Sequence, residues 1–559
     1  MPLLASLSRR LAPFALAALS GCAGTPHMGP ATLVVFGRVW TGDSAQPWAG
    51  AVASRGDTIV AVGDSAKLAS LIGPGTTVLA NGRAMVVPGF MDGHTHFVDG
   101  GVQLASIDLR SSRTPEEFIG RLKAFALERR PGEWILGGDW DHENWPGTPL
   151  PRRDWIDSVT PNNPVFVNRL DGHMGVANSA ALKAAGITRA TRDIPGGVIV
   201  RDPRTGEPTG VLKDNAQLPV YAAIPAATDE QRDAALRRAM ALAASKGVTA
   251  TAHMSASLAD LDAYLRARRA GDLTIRVAVY LPLETWKQVA DTVAAAGSGD
   301  DWVRIGGVKG YVDGSLGSTT ALFYEPYLDA PSTGGLLRTP EDSLRAWIGA
   351  ADSAGLQVAV HAIGERANGL LLDIYDSVAR AHGNRDRRFR IEHTQHLRRG
   401  DIDRIARTGV IASMQPYHAI DDGRWAEKRI GPERIKTTYA FRSLLDRHAQ
   451  LAFGSDWNVA PLDPILGIYA AVTRRTLDGK NPGGWVPEEK ITVEEALRAY
   501  TAGNAYGVFA EGTRGKLAQG YRADIVLLDK DLTAIPPETI DRVRVRQTVV
   551  GGRVVFSTP

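Results

Sequence analysis

The sequence predicts an α/β fold built on a TIM-type (β/α)8 barrel, and three observations predict it. Short apolar strands alternate with amphipathic helices over most of the chain, which calls for a parallel sheet. Eight such strands can be counted, the number that fits a closed barrel. Polar residues collect at their C-terminal ends, the rim where a barrel of this kind builds its active site.

The eight strand candidates are "AMVVPGFMDGHTH", "WILGGDW", "VTATAHMS", "VRIGGVKGYVDG", "LQVAVHAIG", "FRIEHTQHL", "VIASMQPYH" and "LAFGSDWN". Among the helices between them, "TDEQRDAALRRAMALAASKG" opens on Thr228, a residue suited to cap its first turn. The stretch 141–227 is too long for one βα unit and reads as an insertion over the barrel mouth. Residues 32–87 are instead β-rich and punctuated by Gly and Asp. The same texture returns near the end, in "GKLAQGYRADIVLLD" and "VRVRQTVVGGRVVFS".

A chain of 559 residues has room for one large barrel with additions. Hydrophobic residues make up 44% and charged residues 22%, the profile of a folded soluble enzyme. A net charge of +3 gives no electrostatic case for nucleic acid or for an anionic membrane. The opening residues, "MPLLASLSRRLAPFALAALSGC", pair Arg9 and Arg10 with an apolar run too short to span a bilayer, so residues 1–21 read as a secretory leader. "LSGC" resembles the lipobox of bacterial lipoproteins, which implies lipidation of Cys22 and an exported, membrane-anchored protein. A plain signal peptide is the alternative. Cys22 is the only cysteine, which excludes an internal disulfide and a thiolate metal cluster.

The strand ends carry the chemistry. His94 and His96 lie two apart on an extended segment, so both imidazoles face one way and can reach one ion. His361, His393 and Asp456 each end a further apolar strand. Four imidazoles and a carboxylate at one barrel mouth form a transition-metal ligand set, with zinc the default. Lys309 stands out inside "RIGGVKGYVDG", where an ammonium loses hydration and gains no obvious partner except nearby Asp313.

"PGFMDGHTHF", "VKGYVDGSLGSTTALF", "VAVHAIGERAN", "RIEHTQHL" and "AFGSDWNV" resemble the amidohydrolase superfamily, in its amidohydrolase-3 or YtcJ-like branch, which includes N-substituted formamide deformylases. The resemblance covers residues 32–556. It implies a small β-sandwich assembled from both chain ends, 31–88 and 506–559, beside a hydrolase barrel over 89–505. It also implies two metals: one on His94, His96 and Asp456, the other on His361 and His393, bridged by a carboxylated Lys309. The reaction implied is hydrolysis of a small amide by a metal-activated hydroxide, with Asp456 as proton shuttle.

"NRLDGHMGVANSAAL" resembles a family segment whose histidine faces the substrate, which makes His173 a candidate for substrate contact or carbonyl polarisation. His418, ending the seventh strand, is a further substrate contact candidate, and Trp140, Trp425 and Trp457 could wall an apolar pocket. His253 reads as core packing, and His142, His382, His396 and His448 as surface residues. Thr319 stands where many relatives carry an arginine, which lowers the expectation of an acidic substrate. Two other functions compete: a cyclic amidase or lactonase on the same site, and a non-catalytic ligand-binding lipoprotein. Oligomeric state is left open.

Overall fold

The computed structural model describes residues 29–558. The leader and Cys22 lie outside the described residues. Among those described, no helix is long and apolar enough to cross a membrane.

Eight parallel strands form the centre: β1 (Phe90–Thr95), β2 (Val248–His253), β3 (Arg276–Pro282), β4 (Val303–Tyr311), β5 (Val358–Ala362), β6 (Arg390–His393), β7 (Ile411–Met414) and β8 (Leu451–Phe453). Each pairs with the next in chain order. Strands covered on both faces read as continuous apolar runs, and β5, "VAVHA", is buried at every position. The ring closes at its mouth, where Thr95 bridges Trp457 and the Asp456 N–H donates to His94 O at 2.7 Å. Gly454 permits this closure, because a Cβ there would stand 2.5 Å from His94 N.

Helices pack outside the ring. Asp229–Ser245 begins as the sequence predicts: Thr228 Oγ1 accepts from Gln231 N (3.3 Å), and Thr228 N–H donates to Gln231 Oε1 (2.8 Å). The amphipathic Glu365–His382 turns Leu371, Leu372, Ile374 and Val378 inward.

The structure corrects one strand assignment and adds a strand that the sequence reading lacks. "WILGGDW" is not a barrel strand: Ile135–Trp140 belongs to a separate six-stranded sheet with Ile107–Asp108, Val165–Arg169, Met174–Ala177, Gly197–Arg201 and Pro208–Asp214. The insertion over the mouth therefore begins near residue 107, ahead of the expected 141. β3 takes the vacated place in the ring; its "RVAVYLP" ends without a polar residue and so lacks the signature that marked the others.

The two chain ends meet in one seven-stranded sheet, with Ile525–Leu528 pairing Thr77–Pro88. The sheet folds back on itself, since Ile59 N–H donates to Tyr521 O (2.8 Å) and Gly520 N–H to Ile59 O (2.9 Å). Leu33, Val52, Ile525 and Val549 share its core, so neither end is complete without the other. Buried Arg276 ties this sheet to the barrel through Asp524 at 2.8 Å.

Candidate metal centre

The site grows out of the barrel closure. Asp92 in β1 accepts from the N–H groups of His94 (3.1 Å) and Ser455 (2.9 Å), so one buried carboxylate clamps the two strand ends that carry the ligands. Burial pushes the Asp92 carboxyl up to about 7. With the ends clamped, His94 Nε2 and His96 Nε2 each lie 3.3 Å from Asp456 Oδ1. The backbone at Asp456 takes φ 59°, and at His393 φ 76°, left-handed conformations that turn both side chains over the mouth at a cost of order 1–3 kcal/mol each.

Glu392 fixes how His94 presents itself. Its Oε2 lies 2.7 Å from His94 Nδ1, so Nδ1–H donates and the Nε2 lone pair faces the site. Glu392 is held in turn by Arg390 Nε (2.7 Å) and Ser413 Oγ (2.6 Å), all inside the barrel. The guanidinium and His94 outweigh the burial that would raise Glu392 and hold its carboxyl well below the usual range. Burial, with the Lys309 charge adding to it, pushes His94 down to about 4, so the imidazole is neutral and able to ligate. For Asp456, His94 and His96 outweigh burial and keep the group ionised.

These donors fit a divalent transition ion. Oδ1 of Asp456 is buried and takes no hydrogen bond among the described residues. One ligand atom from each of His94, His96 and Asp456 lies within 4.8 Å of the others, and the same holds for His393, His418 and Asp456. Two imidazoles and a carboxylate meeting at an unsatisfied oxygen form a donor set that suits such an ion.

Lys309, at the mouth end of β4, is 1% exposed. Its Nζ lies 3.4 Å from His94 Nε2 and 4.7 Å from the centre of the Tyr311 ring, and it forms no ion pair among the described residues. The alternative partner is taken: the Asp313 carboxylate accepts N–H bonds from Leu322 (2.8 Å), Ile363 (3.0 Å) and Gly364 (2.9 Å).

His361 and His393 stand side by side, ring centres 4.5 Å apart, and burial holds both well below the ordinary histidine value. His361 Nε2 is 3.0 Å from Gly314 O, which leaves Nδ1 as its free donor atom. His173 comes down from the covering sheet to 5.0 Å from the His361 ring, and its Nδ1 lies 2.5 Å from Asp214 Oδ1. Burial lowers His173, but Asp214 outweighs it and the net shift is upward.

The structure thus brings together His94, His96, Lys309, His361, His393, Asp456, His173 and His418 around one cavity system, the main cavity measuring about 620 Å³. That is a size for a small molecule. Trp140 is a correction: it packs into the core of the covering sheet beside Phe118 and Trp145 and donates Nε1–H to Val167 O (2.9 Å). Asp139, at φ 59°, faces the cavity instead. Trp425 and Trp457 are likewise buried away from it. His142 and His396 are buried rather than superficial, whereas His382 and His448 are exposed as expected. His253 packs in the core, its Nδ1 3.0 Å from Tyr264 Oη. Thr319 does not line the main cavity; its Oγ1 accepts from Arg429 Nη1 at 2.9 Å.

Sequence reasoning missed Glu392 and Asp214. A signal existed for the first, because "RIEH" places two charges two apart in a four-residue buried strand. Asp214 ends a strand in the covering sheet, and nothing in its local sequence distinguishes it.

A family model described as "Amidohydrolase family" matches residues 78–556. Protein LONG AFTER FAR-RED 3 of Arabidopsis thaliana is 40% identical, over 94% of this chain and 91% of its own. Putative amidohydrolase YtcJ of Bacillus subtilis (strain 168) is 34% identical, over 86% of this chain and 91% of its own. Among solved structures, an uncharacterized metal-dependent hydrolase from Pyrococcus horikoshii OT3 is similar with a TM-score of 0.73 and 29% identity, covering 90% of this chain and 99% of that one.

Proposed function

This chain belongs to the amidohydrolase family, and from that premise we propose that it cleaves a C–N bond of a small amide with water at a two-metal site. The observation that carries the reading is the meeting of His94, His96 and Asp456 at one point, with Lys309 buried beside them and unpaired.

His94, His96 and Asp456 would hold the deeper ion and His361 and His393 the outer one, zinc being the default for such donors. Carboxylated Lys309 would give each an oxygen: the amine nitrogen bonds to the carbon of CO2 and a proton leaves. Ions so bound lower the pKa of a water and polarise a carbonyl. Proton movement falls to the protein. Asp456, held ionised, takes the proton from the attacking water and returns it to the departing nitrogen. His173, its Nδ1 held by Asp214, turns Nε2 toward the substrate carbonyl oxygen. The covering sheet narrows the mouth above them. The reading also takes Cys22 as a lipidated N-terminus, on the "LSGC" pattern.

Metal analysis joined to a hydrolysis screen of N-formyl, N-acyl and cyclic amides and lactones tests the reading. Bound divalent metal and turnover of at least one amide class are expected. A protein that binds no metal and hydrolyses nothing after reconstitution would overturn it; hydrolysis of lactones alone would keep the site and change the bond.

A further inference from the structure

The charges lining the main cavity are unevenly matched. Arg169 is answered by Asp171 (2.6 Å) and Asp141 (2.8 Å), and Arg232 by Asp260 (3.1 Å). Arg338 also lines the cavity and forms no ion pair among the described residues. Its side chain makes one hydrogen bond, from Nε to Asn215 Oδ1 at 3.3 Å, which leaves both Nη groups unspent.

Its position is set by the main chain. Arg338 N–H donates to Val312 O at 2.8 Å, and Asn215 Nδ2 donates to Arg338 O at 3.0 Å. The residue is therefore pinned between the end of β4 and the covering sheet. Its guanidinium carbon stands 3.9 Å from the centre of the Tyr311 ring. The same ring has Lys309 Nζ at 4.7 Å and the His361 ring at 5.4 Å, so a single side chain separates Arg338 from the metal-ligand cluster. A planar fork of free N–H donors at that distance suits an oxyanion, and a carboxylate is the one compatible with a small amide substrate.

The opposite requirement is met at the cavity rim. Leu218 and Tyr221 line it and stay 52% and 44% exposed, with partly exposed Ile224 beside them. Apolar side chains left uncovered in a cavity are suited to the apolar part of a ligand.

We propose that Arg338 is the substrate-selecting residue of this site. It binds a carboxylate carried a few bonds from the scissile C–N bond, so the preferred substrates are N-acyl amino acids and related carboxylated amides with an apolar acyl group. The proposal deepens the amide-hydrolase reading above and rests on it. It also explains why Thr319 is no obstacle to an acidic substrate: Arg338 supplies this cavity with an arginine that no carboxylate answers.

The test compares phenylacetylglycine with phenylacetylglycinamide, which differ in the charge of one end. Metal-loaded wild-type enzyme is expected to favour the carboxylate in kcat/KM. In R338M that preference should fall by roughly 10- to 100-fold, the worth of a charged hydrogen-bonded contact, and chiefly through KM. R338K should retain part of it, and metal content should match the wild type. A wild type without preference, or an R338M ratio equal to the wild-type ratio, overturns the proposal and leaves Arg338 as packing for Tyr311. If neither compound nor any other amide is hydrolysed, it is the amide reading that fails. Calorimetric binding of the same two compounds to wild type and R338M then still decides on Arg338, and equal affinities in the wild type reject it.

Discussion

Glu392 accepts a hydrogen bond from His94 at 2.7 Å, and this pair leaves a buried barrel histidine with a defined free nitrogen facing the candidate metal centre. Glu392→Gln keeps the size and an acceptor oxygen but removes the charge. Metal affinity, measured by competition with a chelator, should fall by roughly 10- to 100-fold. Unchanged affinity would mean that packing alone orients the ring. Glu392→Ala should also destabilise the fold, by about 3–5 kcal/mol in chemical denaturation, because Arg390 is left buried without its partner.

Replacing Asp456 with Asn should remove turnover while substrate still binds. The amide preserves shape and loses the oxygen that would carry the proton. A positioned acid–base group is worth on the order of 100-fold or more, so a variant that keeps more than about a tenth of the wild-type kcat would move the proton-shuttle role to another group.

Lys309→Ala should bind about one metal per chain where the wild type binds about two, with little hydrolysis left. Because the Asp313 carboxylate is occupied by three backbone N–H groups, loss of an ion pair is not the expected cause. A short carboxylic acid at high concentration should partly restore activity by taking the bridging place. Lys309→Arg should not respond, since guanidinium stays protonated. Two metals and near-normal turnover in Lys309→Ala would require a different bridge.

His396 should make stability depend on pH. It is 2% exposed, its Nδ1 lies 2.8 Å from Thr438 Oγ1, and burial, with Arg434 adding to it, pushes it down to about 3. In the unfolded chain a histidine titrates near about 6.5, so below that pH the unfolded state binds more protons than the folded one. Its contribution is complete above about pH 6.5 and falls as pH drops toward the folded value. At pH 5 the loss is on the order of 2 kcal/mol. Denaturation midpoints at pH 7 and pH 5 should differ less in His396→Asn than in the wild type; an equal difference would assign the slope to other groups.

Cys22→Ala should release the protein from the membrane fraction of cells that express the full chain. Retention of the variant in that fraction would show that the cysteine is not the tether.

The barrel and its candidate ligands were legible because both leave periodic marks. An apolar strand ending in a histidine, aspartate or lysine reads the same in sequence and in space, and Lys309 declared itself by standing in an otherwise apolar stretch between Arg304 and Asp313. β3 was illegible for the converse reason, as it brings no chemistry to the rim. "WILGGDW" misled because a strand of the covering sheet is as short and apolar as a barrel strand, and only its partners differ. Asp214, Arg338 and the burial of Trp140 depend on contacts between segments far apart in the chain. Asn215 and Arg338, which pin each other, are such a pair.

The hydrogen bond from Asp456 N–H to His94 O closes the ring, and it joins the first barrel strand to the last. During synthesis His94 and His96 leave the ribosome some 360 residues before Asp456, as a pair of imidazoles with no carboxylate to complete them. On the proposed reading, the group of His94, His96 and Asp456 comes into being only with the final strand, so filling that place with metal would be a closing event in the life of the chain. A nascent polypeptide arrested before Leu451 has His94 and His96 without Asp456, and at that place it should hold zinc no better than a short peptide bearing two histidines.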